Sequence, residues 1–205
     1  MLNVRARGPI GIVVNPLVNL LARTGLTPNA LTIAGAVGTV AGAALIARGE
    51  LFWGVMTTTV FVLFDMLDGR LARAQGTSGP WGALLDSTLD RLSDAVIFAA
   101  LVIWFGRKSP HDEPWIAALA LFCLLSGALV SYVKARAEGL GLSCNVGFAE
   151  RAERLIIVLV GTGLAGLGVR YILAVALWFL AAASVITIGQ RLAAVRRQVV
   201  ALEPR

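Results

Sequence analysis

Cysteine, histidine and charge are all scarce in this chain. Two cysteines in 205 residues exclude a disulfide framework, and with a single histidine there is no Cys/His cluster to hold zinc. Charged residues make up 15% of the sequence against 58% hydrophobic, too little polar surface for a soluble domain of this size. The apolar residues do not alternate with polar ones over the ten or so positions of a barrel strand, which excludes a membrane β-barrel. Lys and Arg outnumber Asp and Glu by 18 to 12. They are spread over helix ends and not gathered on one soluble face, so nucleic acid is excluded as a partner.

What the chain has in abundance is long apolar runs. A hydrocarbon core of roughly 30 Å takes roughly 20 apolar helical residues to cross, and runs of that length fall near 30–48, 51–74, 82–106, 114–136, 150–168 and 171–192. The expectation is an all-α polytopic membrane protein, with six transmembrane helices forming one bundle over 29–195 in a single domain, 1–205. The stretch 9–23 mixes Ile12, Val13, Val14 and Leu17 with Asn15, Asn19 and Arg23. It reads as an N-terminal interfacial amphipathic helix, and it lacks the small-residue cleavage site of a signal peptide.

The charges choose an orientation. With both termini in the cytoplasm, Arg48, Arg107, Lys108 and Arg170 lie at outer ends, and the remaining 14 of the 18 basic residues lie at inner ends, as the positive-inside rule requires. The net charge of +6 suits anionic membrane lipids on that leaflet. Asp65, Asp68, Asp86, Asp90, Asp94, Glu138, Glu150 and Glu153 fall in the same inner half. Ionisable groups within spans are costly, so a cavity open to the cytoplasm and lined by these acids is the expected functional site.

Four of the acids form a pattern. Asp65 and Asp68 are three apart, Asp86 and Asp90 four apart, so each pair shares a helical face. Gly76, Gly79 and Pro80 between them favour a turn that returns the chain antiparallel. Four carboxylates so close cannot all stay ionised without cations among them. An all-oxygen set selects a hard ion, Mg²⁺, Mn²⁺ or Ca²⁺, and two such ions about 3.5 to 4 Å apart suit phosphoryl transfer. Gly69 and Ala72 lack bulk and let a nucleotide come close to the helix.

The ordered string Asp65-x2-Asp68-Gly69-x2-Ala72-Arg73-x8-Gly82-x3-Asp86-x3-Asp90 resembles the complete signature of the CDP-alcohol phosphotransferases, with all eight of its residue types in place. The resemblance implies a CDP-linked donor, CDP-diacylglycerol, whose β-phosphate is attacked by an acceptor hydroxyl while CMP leaves. It implies two Mg²⁺ ions, with Mn²⁺ as a substitute, one held by Asp65, Asp68 and Asp86 and the other by Asp65, Asp86 and Asp90. It makes Asp90 the general base. The segment Pro28-Asn29-Ala30-Leu31-Thr32 is similar to the family's start of the first helix, where Asn29 and Thr32 contact the donor; Asn29 by itself reads as an ordinary helix cap. Gly69, Arg73 and Ser78 are carried over as further donor contacts. The family's habit of forming homodimers is implied as well.

The acceptor is read from the cations. Lys134, Arg136, Arg151, Arg154 and Arg191 gather at inner helix ends, more positive charge than a neutral alcohol needs, and guanidinium forks suit a phosphate. The stretches 131–138 and 147–154 resemble those bacterial members of the family that use myo-inositol phosphate, and Lys134, Arg154 and Arg191 then match its phosphate-binding positions, with Arg136 and Arg151 as further candidates. Charge and spacing alone support only a phosphorylated polyol, so glycerol 3-phosphate is the rival acceptor. Arg136 has an ion pair with Glu153 or Glu150 as its alternative reading. Arg196, Arg197 and Arg205 read as positive-inside residues without a ligand.

A divalent-cation transporter would also place carboxylates inside a helical bundle, but nearer the membrane midplane and without an arginine cluster. His111 reads as a loop residue beside Asp112 and Glu113. Asp94, one turn beyond Asp90 and next to Arg91, is expected in a structural ion pair. Gly35, Gly38, Gly42, Gly161, Gly163 and Gly166 are expected at close helix contacts.

Overall fold

The computed structural model describes residues 25–107, 114–148 and 150–202, except the side chain of Met66. The interfacial helix expected at 9–23, together with His111, Asp112, Glu113 and Arg205, lies outside the described residues. Those described form six α-helices and no strand: α1 (Pro28–Arg48), α2 (Leu51–Gln75), α3 (Pro80–Arg107), α4 (Pro114–Gly139), α5 (Arg151–Gly166) and α6 (Ile172–Leu202). The boundaries follow from local chemistry. Proline opens α1, α3 and α4, where its missing N–H costs nothing and its fixed φ suits the first turn. Thr27 caps α1, its Oγ1 accepting from the Ala30 amide at 3.2 Å. Gly76, at φ +66°, stops α2 in the left-handed conformation while the Thr77 amide reaches back to the Ala72 carbonyl at 2.9 Å.

Four of the six, α1, α2, α4 and α6, are long and apolar enough to cross a membrane. The other two differ from these four: α5 has 16 residues, and α3 carries Arg91 together with Asp86, Asp90 and Asp94, the acids already expected on it. α6 continues ten residues past the expected end of its apolar run, to Leu202. Large apolar side chains such as Val37, Leu63, Leu125, Val175 and Ile186 face outward, as lipid contact allows.

The described residues divide into two compact units, one from 25–41 and 57–93, the other from 42–56 and the described part of 94–202. In the first, Leu31, Leu67 and Leu71 are buried with Phe64 packed against them. α1 and α2 come so close there that a Cβ on Gly38 would overlap the Phe61 ring, and one on Gly35 would lie 3.2 Å from Asp65 Cβ. In the second unit, α6 packs against α4 and α5. A Cβ on Gly161 would meet that of Ala176 at 2.9 Å, one on Gly166 the Phe52 backbone nitrogen at 2.6 Å, and Gly42 offers its carbonyl to the Gly54 surface. The small residues singled out in sequence are thus the points of closest helix approach, where membrane helices gain dispersion contacts.

Candidate active site

In the first unit, the start of α1, the end of α2, the Gly76–Gly79 turn and the start of α3 enclose a cavity of about 440 Å³. Asn29, Thr32, Gly69, Arg73 and Ser78, the five expected donor contacts, all line it, together with Asp68 and Asp86. Its shape depends on the turn: the Gly76 stop ends α2 one turn beyond Arg73, and Pro80 restarts the chain as α3. Gln75 ties the rim, its amide Nε2 donating to the Leu26 carbonyl at 3.1 Å.

The carboxylates meet at this cavity. One oxygen each from Asp65, Asp68 and Asp86 lie within 4.8 Å of one another, with Asp68 buried and the other two half-buried. Asp90 is outside this set of three; it sits half-buried one turn further along α3. Asp68 is held from two sides, by the Thr32 hydroxyl donating to Oδ2 at 2.5 Å and by the Gly69 amide on Oδ1. Thr32 therefore faces Asp68 as well as the cavity, a role beyond the donor contact expected of it. Three convergent carboxylates with only oxygen donors fit a hard divalent cation and no softer metal. Gly69 is open: a Cβ there would find only Arg73 Nη1, at 3.8 Å.

The basic residues of the second unit are organised differently from expectation. Arg91 turns to the Ser87 carbonyl, and Asp94 binds two arginines of α5. Arg154 Nη2 is 2.8 Å from Asp94 Oδ2 and Arg151 Nε 3.4 Å from Oδ1. Asp94 is thus in a structural ion pair, as expected, and its partners are the two arginines that α5 presents to α3. Arg191 is also buried, at 2% exposure. It donates through Nε to the Val146 carbonyl at 2.9 Å and through Nη1 to the Val130 carbonyl at 2.5 Å, with Glu150 Oε1 3.8 Å from Nη2. Glu150 thus faces Arg191, and Arg136 is exposed. Lys134 is half-buried near the end of α4.

α6 straps the α4–α5 connection. Gln198 accepts from the Ser143 amide at 3.0 Å and donates to its carbonyl at 2.7 Å, and Thr187 Oγ1 accepts from the Phe148 amide at 3.3 Å. Gly147 stands at φ +118°, and a Cβ there would run into Thr187. Sequence reading missed Gln75, Thr27, Thr77 and Ala83 as cavity-lining residues. For Gln75 a signal existed: Asp68, Ala72 and Gln75 recur at i, i+4 and i+7, one helical face.

Apolar helices that carry a three-carboxylate cation site beside a nucleotide-sized cavity define a metal-dependent phosphotransferase working at a membrane. The chain belongs to the CDP-alcohol phosphatidyltransferase family, whose model matches residues 25–189, across both units. It is 44% identical to the phosphatidylinositol phosphate synthase of Streptomyces avermitilis, over 97% of this chain and 84% of that one. Its fold is similar to the crystal structure of Mycobacterium tuberculosis phosphatidylinositol phosphate synthase with CDP-DAG bound, at TM-score 0.83 and 44% identity, covering 89% of this chain and 93% of that one. The same Mycobacterium tuberculosis enzyme in complex with manganese and citrate matches at TM-score 0.83 and 44% identity, over 89% and 88% of the two chains.

Proposed function

We propose that this protein is a phosphatidylinositol phosphate synthase. It transfers the phosphatidyl group of CDP-diacylglycerol to a hydroxyl of myo-inositol phosphate and releases CMP. The observation that carries the reading is the single cavity in which Asn29, Thr32, Gly69, Arg73 and Ser78 surround Asp68 and Asp86. A nucleotide fits there because Gly69 and Ala72 expose backbone, and Arg73 offers a guanidinium to a pyrophosphate.

Asp65, Asp68 and Asp86 would hold a divalent cation, with Asp90 contributing to a second. Bound there, Mg²⁺ or Mn²⁺ supplies positive charge to the pyrophosphate and to the developing charge on the leaving CMP oxygen. The protein's own part is to orient and to move a proton. Asp90 accepts the proton of the attacking hydroxyl; the new acceptor O–P bond forms at the β-phosphate as the bond from that phosphorus to the CMP oxygen breaks. Lys134, Arg151, Arg154 and Arg191 hold the acceptor phosphate, with Arg136 as the more exposed candidate. Arg191 serves with the N–H groups left after its two backbone carbonyls. Both termini and the site face the cytoplasm, in keeping with the positive-inside distribution, and two copies form a homodimer, as the family resemblance implies.

The test is CMP release by the purified protein in detergent with CDP-diacylglycerol and Mg²⁺, comparing myo-inositol phosphate, free inositol and glycerol 3-phosphate. Release with inositol phosphate alone is expected. Release with glycerol 3-phosphate alone would keep the chemistry and overturn the acceptor, and release with none would overturn the activity.

A further inference from the structure

We propose that Asp94 is a positioning residue for the acceptor: its carboxylate holds Arg151 and Arg154 together as a cationic cradle for the acceptor's phosphate. The inference rests on the acceptor reading above and adds to it a residue outside the metal-binding signature. Asp94 binds one arginine through each oxygen, Arg154 Nη2 at 2.8 Å and Arg151 Nε at 3.4 Å. Its side chain is 15% exposed and that of Arg154 only 5%. Two guanidinium groups brought this close repel each other, and a desolvated one is costly unless paired. A carboxylate between them reduces that repulsion and ties both guanidinium groups to one anchor.

The geometry also limits where Arg154 can go. A Cβ on Gly127 would lie 3.1 Å from Arg154 Nε, so the α4 backbone closes one side of the guanidinium while Asp94 closes another. Arg91, the cation nearest to Asp94 in sequence, is turned to the Ser87 carbonyl, which leaves the Asp94 carboxylate to α5. Arg151 and Arg154 are three apart, on one face of that helix, and a shared anchor sets the spacing of their remaining N–H groups. Preset donors of this kind bind an anion without the cost of ordering long side chains at each encounter.

The experiment uses the full-length protein in detergent, with Asp94→Asn compared with wild type by CMP release and by thermal unfolding. The expected result is an acceptor KM raised about tenfold or more, the scale of one lost charged hydrogen bond, with kcat and the CDP-diacylglycerol KM within about twofold. Added to Arg154→Ala, Asp94→Asn should raise the acceptor KM by less than it does in the wild type, because only the Arg151 contact is then left to lose. Asp94→Glu, which keeps the charge, should recover part of the loss. An unchanged acceptor KM, a parallel loss of kcat and both KM values, or full additivity with Arg154→Ala would overturn the proposal. If Asp94→Asn does not purify folded, Asp94→Glu alone decides: its displaced carboxylate should raise the acceptor KM and not the donor KM. Wild type that accepts only glycerol 3-phosphate would sink the functional reading while the same comparison, run with that acceptor, still tests Asp94. Wild type that releases no CMP would leave titration with inorganic phosphate as the test, expected to bind wild type more tightly than Asp94→Asn, with equal binding as the contrary result.

Discussion

The Thr32 hydroxyl donates to Asp68 Oδ2 at 2.5 Å, joining α1 to α2 across 36 residues of chain. The contact is buried and fixes which way a carboxylate of the proposed cation site points. Supporting hydrogen bonds of this sort commonly alter metal affinity about 10- to 100-fold when removed. Thr32→Val should therefore raise the Mg²⁺ concentration needed for half-maximal CMP release by about that range, and Thr32→Ser should restore it. A Mg²⁺ titration of the three proteins reads this directly, and an unshifted midpoint in Thr32→Val would contradict the role.

Asp90 tests the chemistry apart from binding. It stands one turn beyond Asp86 and outside the three-carboxylate set. Asp90→Asn should abolish turnover while CDP-diacylglycerol binding remains measurable by calorimetry, since Asp65, Asp68 and Asp86 are intact. Normal turnover would remove Asp90 from proton transfer.

Two glycines on neighbouring helices should respond in opposite ways. A Cβ at position 38 overlaps the Phe61 ring, whereas at position 69 it finds only the tip of Arg73. Gly38→Ala should lower stability by about 1 to 3 kcal/mol, as overpacking does, seen as a lower unfolding midpoint. Gly69→Ala should leave the midpoint in place and raise the donor KM, because the added methyl stands in the cavity. The reverse pattern would mean that the nucleotide does not lie against Gly69.

Arg154→Ala should weaken the acceptor by about 1.5 to 3 kcal/mol, the worth of a hydrogen bond to a charged group, and leave the donor KM unchanged. Steady-state rates at varied acceptor and varied donor separate the two. A donor KM that rises alone would place Arg154 on the other substrate.

Much of this site was legible beforehand because its parts are local. Asp65 with Asp68, and Asp86 with Asp90, share helical faces by spacing alone, and the glycines and proline between them favour the turn that brings Asp86 to Asp65 and Asp68. The helices themselves follow from the length of the apolar runs, with prolines and glycines marking their ends. Six apolar runs were read and six helices are found among the described residues, four of them long and apolar enough to cross a membrane.

The partners across helices were decided only by the tertiary structure. Thr32 on Asp68, Asp94 on Arg151 and Arg154, and Arg191 on the Val130 and Val146 carbonyls each join residues 36 or more positions apart. Helices in a bilayer are apolar on nearly every side, so their sequences carry little of the amphipathic signal that tells which face turns inward. Rotation and crossing are set instead by where small residues such as Gly35, Gly38 and Gly127 let another helix or side chain come close. Sequence by itself determined the carboxylate motif and the elements that carry it; helix packing determined which charge meets which.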